Sequence, residues 1–90
     1  MIAVYIVTKN MTVEQHSLGR QMLRDAGALE DDMKVHSCFG DDGELQVFDI
    51  WESQDSFDAF LTHLGPVMDR LGIELAQPPL VMPLVDLIQQ

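Results

Sequence analysis

The sequence predicts an α+β domain of β-α-β-β-α-β order, the ferredoxin-like arrangement, on three observations. Short β-branched and aromatic runs alternate with two stretches of helical apolar spacing. The turn Gly40-Asp41-Asp42-Gly43 joins two of those runs directly, so they form an antiparallel hairpin. Two helical crossovers and one hairpin then give an antiparallel sheet with both helices on one face.

Each element has its own signal. Residues 2–9, IAVYIVTK, are β-branched and aromatic and read as a first strand. Thr12 caps a first helix, and Gln15 three positions on closes a capping box. Leu18, Met22, Ala26 and Leu29 make one apolar stripe along it, and Gly27 stops it. The acidic run Glu30-Asp31-Asp32 is a loop. Residues 33–39, MKVHSCF, and 44–52, ELQVFDIWE, are the hairpin strands. A four-residue loop pairs Phe39 with Glu44, His36 with Val47 and Lys34 with Asp49. Val35, Phe39, Phe48 and Ile50 then share one face, while Lys34, His36, Cys38, Val47, Asp49 and Trp51 share the other.

Ser53 caps a second helix carrying Phe57, Phe60, Leu61, Leu64, Met68 and Leu71 at helical spacing. These side chains are expected to meet Val35, Phe48 and Ile50. Gly65-Pro66 is expected to kink or restart the helix, since proline lacks the N–H and clashes one turn back. Gly72 fits a C-cap. Residues 80–88, LVMPLVDLI, read as a last strand, and Pro83 places it at an edge or a bulge.

Ninety residues make one domain, 1–90. A chain of this size buries only about 60% of its unfolded surface and needs a staple. One cysteine, Cys38, excludes an internal disulfide, and no Cys/His pair has zinc spacing. Self-association remains. The helix-free face, holding Tyr5, Trp51 and much of the last strand, is too apolar for water, and a second copy packed sheet to sheet covers it. A homodimer is therefore expected.

Charge narrows the partners. Fifteen Asp and Glu stand against five Lys and Arg, a net charge of −10. Phosphate backbones and anionic bilayers are bound by basic residues, so neither nucleic acid nor membrane is an expected partner. No apolar run has the length of a membrane span, and MIAVYIVTKN has neither a basic lead nor a cleavage site. With a lone cysteine, these features point to a cytoplasmic protein.

The junction Trp51-Glu52-Ser53, with Asp55, Phe57 and Phe60 following on the helix, resembles the dimeric α/β-barrel superfamily, and within it the small proteins related to antibiotic-biosynthesis monooxygenases. The resemblance implies a dimeric α/β barrel with a pocket between sheet and helices or inside the barrel. It implies no metal, flavin or other cofactor: a phenol or anthrone is deprotonated and its carbanion meets oxygen, the protein supplying a base, a donor and a dry cavity. Only Trp51 matches a pocket residue of such members by position. Haem-degrading relatives share the junction, but Phe60 and Arg70 stand where they carry a Trp and an axial His, and arginine offers iron no lone pair.

Candidate site residues follow, each with a plainer alternative. Trp51 lines a ligand pocket or is a core or interface aromatic. His36 is a general base or a cross-strand polar residue. Asp49 orients His36 or pairs with Lys34. Tyr5 donates to a ligand or is a half-buried strand aromatic. Cys38 reads as an inert thiol, and His16 and His63 as solvated. Two functions remain open: a ligand-binding or accessory module without a catalytic constellation, and a cofactor-independent monooxygenase for a small aromatic or polyketide-like substrate. Titratable groups converging in an enclosed cavity favour the second.

Overall fold

The computed structural model describes residues 1–28 and 30–89. In chain order it has β1 (Ile2–Val7), α1 (Val13–Asp25), β2 (Met33–Phe39), β3 (Gln46–Trp51), α2 (Gln54–Leu71) and β4 (Leu80–Pro83). The sheet order is β2-β3-β1-β4, antiparallel throughout, which is the ferredoxin-like α+β fold. Both helices start on capping boxes, Thr12 with Gln15 and Ser53 with Ser56. Gly72 ends α2 in the left-handed conformation, φ 71°, where only glycine is unstrained. Pro83 closes β4, an edge strand, as its missing N–H requires. β4 stops there and does not run on to residue 88.

The hairpin register differs from the expected one by two residues. Phe39 pairs with Gln46, Cys38 with Val47 and His36 with Asp49. Residues 40–45 all belong to the loop because the start of α1 claims them. Gly43 and Leu45 donate their N–H groups to the Met11 carbonyl, and Asp42 Oδ1 accepts from Val13 N at 2.9 Å. Lys34 pairs with Glu52 at 3.6 Å instead of Asp49. A β-bulge between Met33 and Val35 lets Met33 and His36, three residues apart, face the same side.

The faces of the sheet are the reverse of those expected. Trp51, Asp49, Val47 and His36 lie under the helices, and Val35, Phe39, Phe48 and Ile50 lie on the helix-free side. The Trp51 indole sits 5.8 Å from the Phe57 ring and 4.8 Å from the Phe60 ring, so α2 packs on Trp51 and not on Val35, Phe48 and Ile50. The inward face carries the polar groups, and they tolerate burial because they pair with one another.

The helices show two further differences. The buried residues of α1 are Gly19 and Leu23, one position on from the expected stripe; Leu18 is exposed, and Leu29 lies outside the described residues. A Cβ on Gly19 would meet Leu71 Cδ1 at 3.4 Å and Val67 Cγ1 at 3.7 Å, so the missing side chain sets the approach of α1 to α2. α2 runs unbroken through Pro66, which lies on its exposed side. Thr62, one turn back, is exposed too, so the N–H that Pro66 cannot supply is missing on the solvent side of the helix, where it costs least. The core joins Val4, Ile6, Met11, Leu23, Leu45, Val47, Trp51, Phe57, Phe60, Val67 and Ile73. No helix is long and apolar enough to cross a membrane, among the described residues.

Candidate active site

Between the sheet and the two helices lies a cavity of about 80 Å³. Its wall is mostly apolar: Ile6, Met11, Leu23, Met33, Val47, Phe60, Leu64, Val67, Met68 and Ile73. Its polar groups are Thr8, His16, Arg20, His36 and Asp49.

A chain of hydrogen bonds runs through those groups. Asp49 comes from the middle of β3 and is almost fully buried. Its Oδ1 is 2.7 Å from His36 Nδ1 on the paired position of β2, and its Oδ2 accepts a long 3.4 Å bond from the Trp51 indole N–H. His36 Nε2 meets His16 Nε2, from the first turn of α1, at 3.1 Å with the ring planes 2° apart. A carboxylate has no proton to give, so Asp49 fixes the proton of neutral His36 on Nδ1. His36 Nε2 then carries a lone pair and accepts from His16 Nε2–H. His16 is left with its own lone pair on Nδ1.

Electrostatics fit that assignment. Burial first, then the repulsion two protonated imidazoles would feel between His16 and His36, and then the Arg20 guanidinium hold the His16 imidazole below its ordinary value of 6.5, with Asp49 opposing. His16 therefore stands neutral, as a base, at neutral pH. Burial, then the Asp49 charge, pushes the Cys38 thiol above its ordinary 9.0. That makes Cys38 a poor nucleophile.

The structure brings His36 and Asp49 together and sets Trp51 behind them. Trp51 is fully buried and braces Asp49 and Phe60. Tyr5 is on the opposite face of the sheet, stacked on Phe39 and donating to Gln46 Oε1, and takes no part. His16, expected in solvent, is half-buried and completes the chain. The sequence carried one signal for it: His16 and Arg20 are one helical turn apart, on the side of α1 that also bears Gly19 and Leu23. His63 is half-buried on the outer surface of α2, beside Asp31, Asp32 and Ser56.

Comparison with solved structures agrees with this architecture over the whole chain. The chain has the ferredoxin-like fold of the antibiotic-biosynthesis-monooxygenase-like proteins. A candidate antibiotic biosynthesis monooxygenase from Deinococcus radiodurans superposes with TM-score 0.62 at 16% identity, covering 100% of this chain and 98% of the other. One from Chloroflexus aurantiacus gives TM-score 0.64 at 13% identity, covering 99% and 98%. A third antibiotic biosynthesis monooxygenase gives 0.56 at 16% identity, covering 99% and 100%. No family model and no curated protein matches the sequence. The shared ferredoxin-like fold is thus carried by some 90 positions of which few are identical, and activity has to be argued from the site.

Proposed function

We propose that this chain is a cofactor-independent monooxygenase acting on a small, acidic aromatic such as a hydroquinone. The observation that supports it is the hydrogen-bonded chain Asp49–His36–His16 at the wall of an apolar cavity, a relay through which a ligand proton can be taken up. Loss of the phenolic proton leaves an electron-rich ring whose carbon attacks dioxygen. One oxygen atom forms a C–O bond in place of a ring C–H, and the other leaves as water. Hydroquinone plus dioxygen gives hydroxybenzoquinone plus water, so the substrate itself is the reductant. The protein orients the ligand, takes the proton and keeps water out.

In this proposal the protein works as a homodimer through the helix-free face. Phe39, Leu80 and Met82 are about half exposed there, beside Tyr5 and Phe48, and a chain this small gains most from covering them.

The test is oxygen uptake with methylhydroquinone and isotopically labelled dioxygen. Label is expected in the product. Asp49→Asn or His36→Ala should slow the reaction by about a hundredfold or more. Uptake no faster than in buffer, or unchanged in His36→Ala, overturns the proposal.

A second reading is favoured by the size of the cavity. About 80 Å³ is well below the ~150 Å³ that admits benzene. A ring enters only if a lining side chain moves, and Met11, Met33 and Met68 are the flexible ones. If they do not yield, the chain is a non-catalytic ligand-binding or accessory module.

A further inference from the structure

Most polar groups of the cavity are already bonded to one another, and two remain for a ligand. Thr8 Oγ1 donates to the Leu45 carbonyl at 2.6 Å and accepts from Met11 N at 3.2 Å. Both oxygens of Asp49 and both ring nitrogens of His36 are engaged. His16 Nδ1 has no partner among the described residues. Arg20, one turn further along α1, touches Glu30 Oε2 at 3.2 Å through one terminal nitrogen only. Glu30 Oε1 is buried with no hydrogen-bond partner, so the contact is a single bond and not the two-pronged fork a guanidinium usually makes. Four of the five N–H groups of Arg20 are uncommitted by any bond among the described residues.

The groups left to a ligand are therefore one lone pair and one cation, side by side. We infer that the cavity selects a weak acid, a phenol or enol, and holds it as its monoanion: the oxygen on Arg20, the proton on His16 Nδ1. The inference rests on the function proposed above and assigns the proton-accepting atom to His16. The ligand O–H bond breaks and its electron pair stays on oxygen. The proton bonds to His16 Nδ1, and the proton on His16 Nε2 passes to His36 Nε2. The positive charge ends on His36 against the Asp49 carboxylate, the one acidic group facing the pair from the sheet. Nothing titratable faces it from α2, whose contributions are Phe60, Leu64, Val67 and Met68. Arg20 is the one Lys or Arg side chain of the cavity wall, in a chain of net charge −10. A ligand with no acidic proton has nothing to give His16 Nδ1 and forms no anion for Arg20 to hold.

Two ring compounds of near-equal size test it. 4-Nitrophenol absorbs in the visible only as its phenolate; nitrobenzene has no proton to lose. Both are titrated into the protein, with Trp51 fluorescence as the common readout, since Trp51 touches the cavity residue Phe60. Wild type is expected to bind 4-nitrophenol as the phenolate, so the bound ligand turns yellow at lower pH than the free one. Arg20→Gln should weaken that binding by about tenfold or more and leave nitrobenzene unchanged, because only a charge-assisted bond is lost. His16→Asn keeps an N–H toward His36 but takes no proton, and should return the bound phenol to its free titration. Nitrobenzene binding certifies that each variant has an intact cavity. If Arg20→Gln does not fold, the wild-type preference decides alone. Phenolate binding without oxygen uptake from methylhydroquinone leaves this inference standing and removes the oxygenase. Equal binding of the two compounds, equal losses in Arg20→Gln, or binding of neither overturns it.

Discussion

The Trp51 indole and the Phe60 ring lie 4.8 Å apart, centroid to centroid, with their planes inclined by 44°. One ring comes from the end of β3, the other from the second turn of α2, and only Glu52 and the Ser53 cap stand between the two elements. The contact locks helix to sheet over the cavity, and Trp51 in turn donates to Asp49.

Phe60→Ala should therefore cost about 3–5 kcal/mol, a large part of the stability of so small a domain. Urea unfolding gives the loss, and the emission of Trp51 should shift to the red as water reaches it. A melt and a spectrum like those of wild type would show that this contact is not structural.

Stability should fall with acidification through the titration of His16. Its folded value lies below 6.5, so between those two values the unfolded chain binds a proton that the native chain does not. The contribution is complete above 6.5 and is lost as the pH falls below it. Urea midpoints from about pH 7.5 down to pH 5.5 should decline, and His16→Leu should flatten that slope whatever its own midpoint. A slope unchanged by His16→Leu would remove His16 from the explanation.

Cys38 should resist alkylation. Burial and the Asp49 charge keep its thiol protonated, and only the thiolate reacts. Iodoacetamide at neutral pH is expected to label the native protein many times more slowly than the urea-unfolded chain. Equal rates would mean that the thiol is neither shielded nor held neutral.

Phe39→Asp places a charge on the helix-free apolar face, next to Tyr5. Light scattering at micromolar concentration should give the mass of two chains for wild type and of one for the variant. A wild-type mass of one chain ends the dimer proposal.

Element order, caps and the edge position of β4 were legible because each rests on local chemistry: Thr12 with Gln15, Ser53 before an apolar helix, a proline in a strand. The orientation of the sheet was not. Alternation divides β2 and β3 into two faces, but it does not say which one the helices cover. Val35, Phe39, Phe48 and Ile50 make the more apolar set, yet the face with His36, Asp49 and Trp51 is inside. Those polar groups satisfy one another only when His16 arrives from α1, a contact between residues 20 positions apart. The bulge at Met33 and the two-residue change of register had no local signal either. Gly19 hid the inner side of α1, because a stripe of side chains is blind to a residue whose purpose is to have none.

The position of β1 has a consequence for how the chain reaches this structure. The first strand made is a central one, and its two neighbours are β3 and β4, so Ile2 must find both Trp51 and Pro83. Every sheet pairing of β1 is with a residue far along the chain, from Gln46 onward, which is a topology of slow closure. During synthesis the apolar IAVYIV segment has no partner until β3 emerges, and an open edge until β4 does. The hairpin of β2 and β3 can form early on local contacts, leaving β1 as the late insertion. Chaperone dependence, aggregation on overexpression and sensitivity to C-terminal truncation should all trace to that waiting strand.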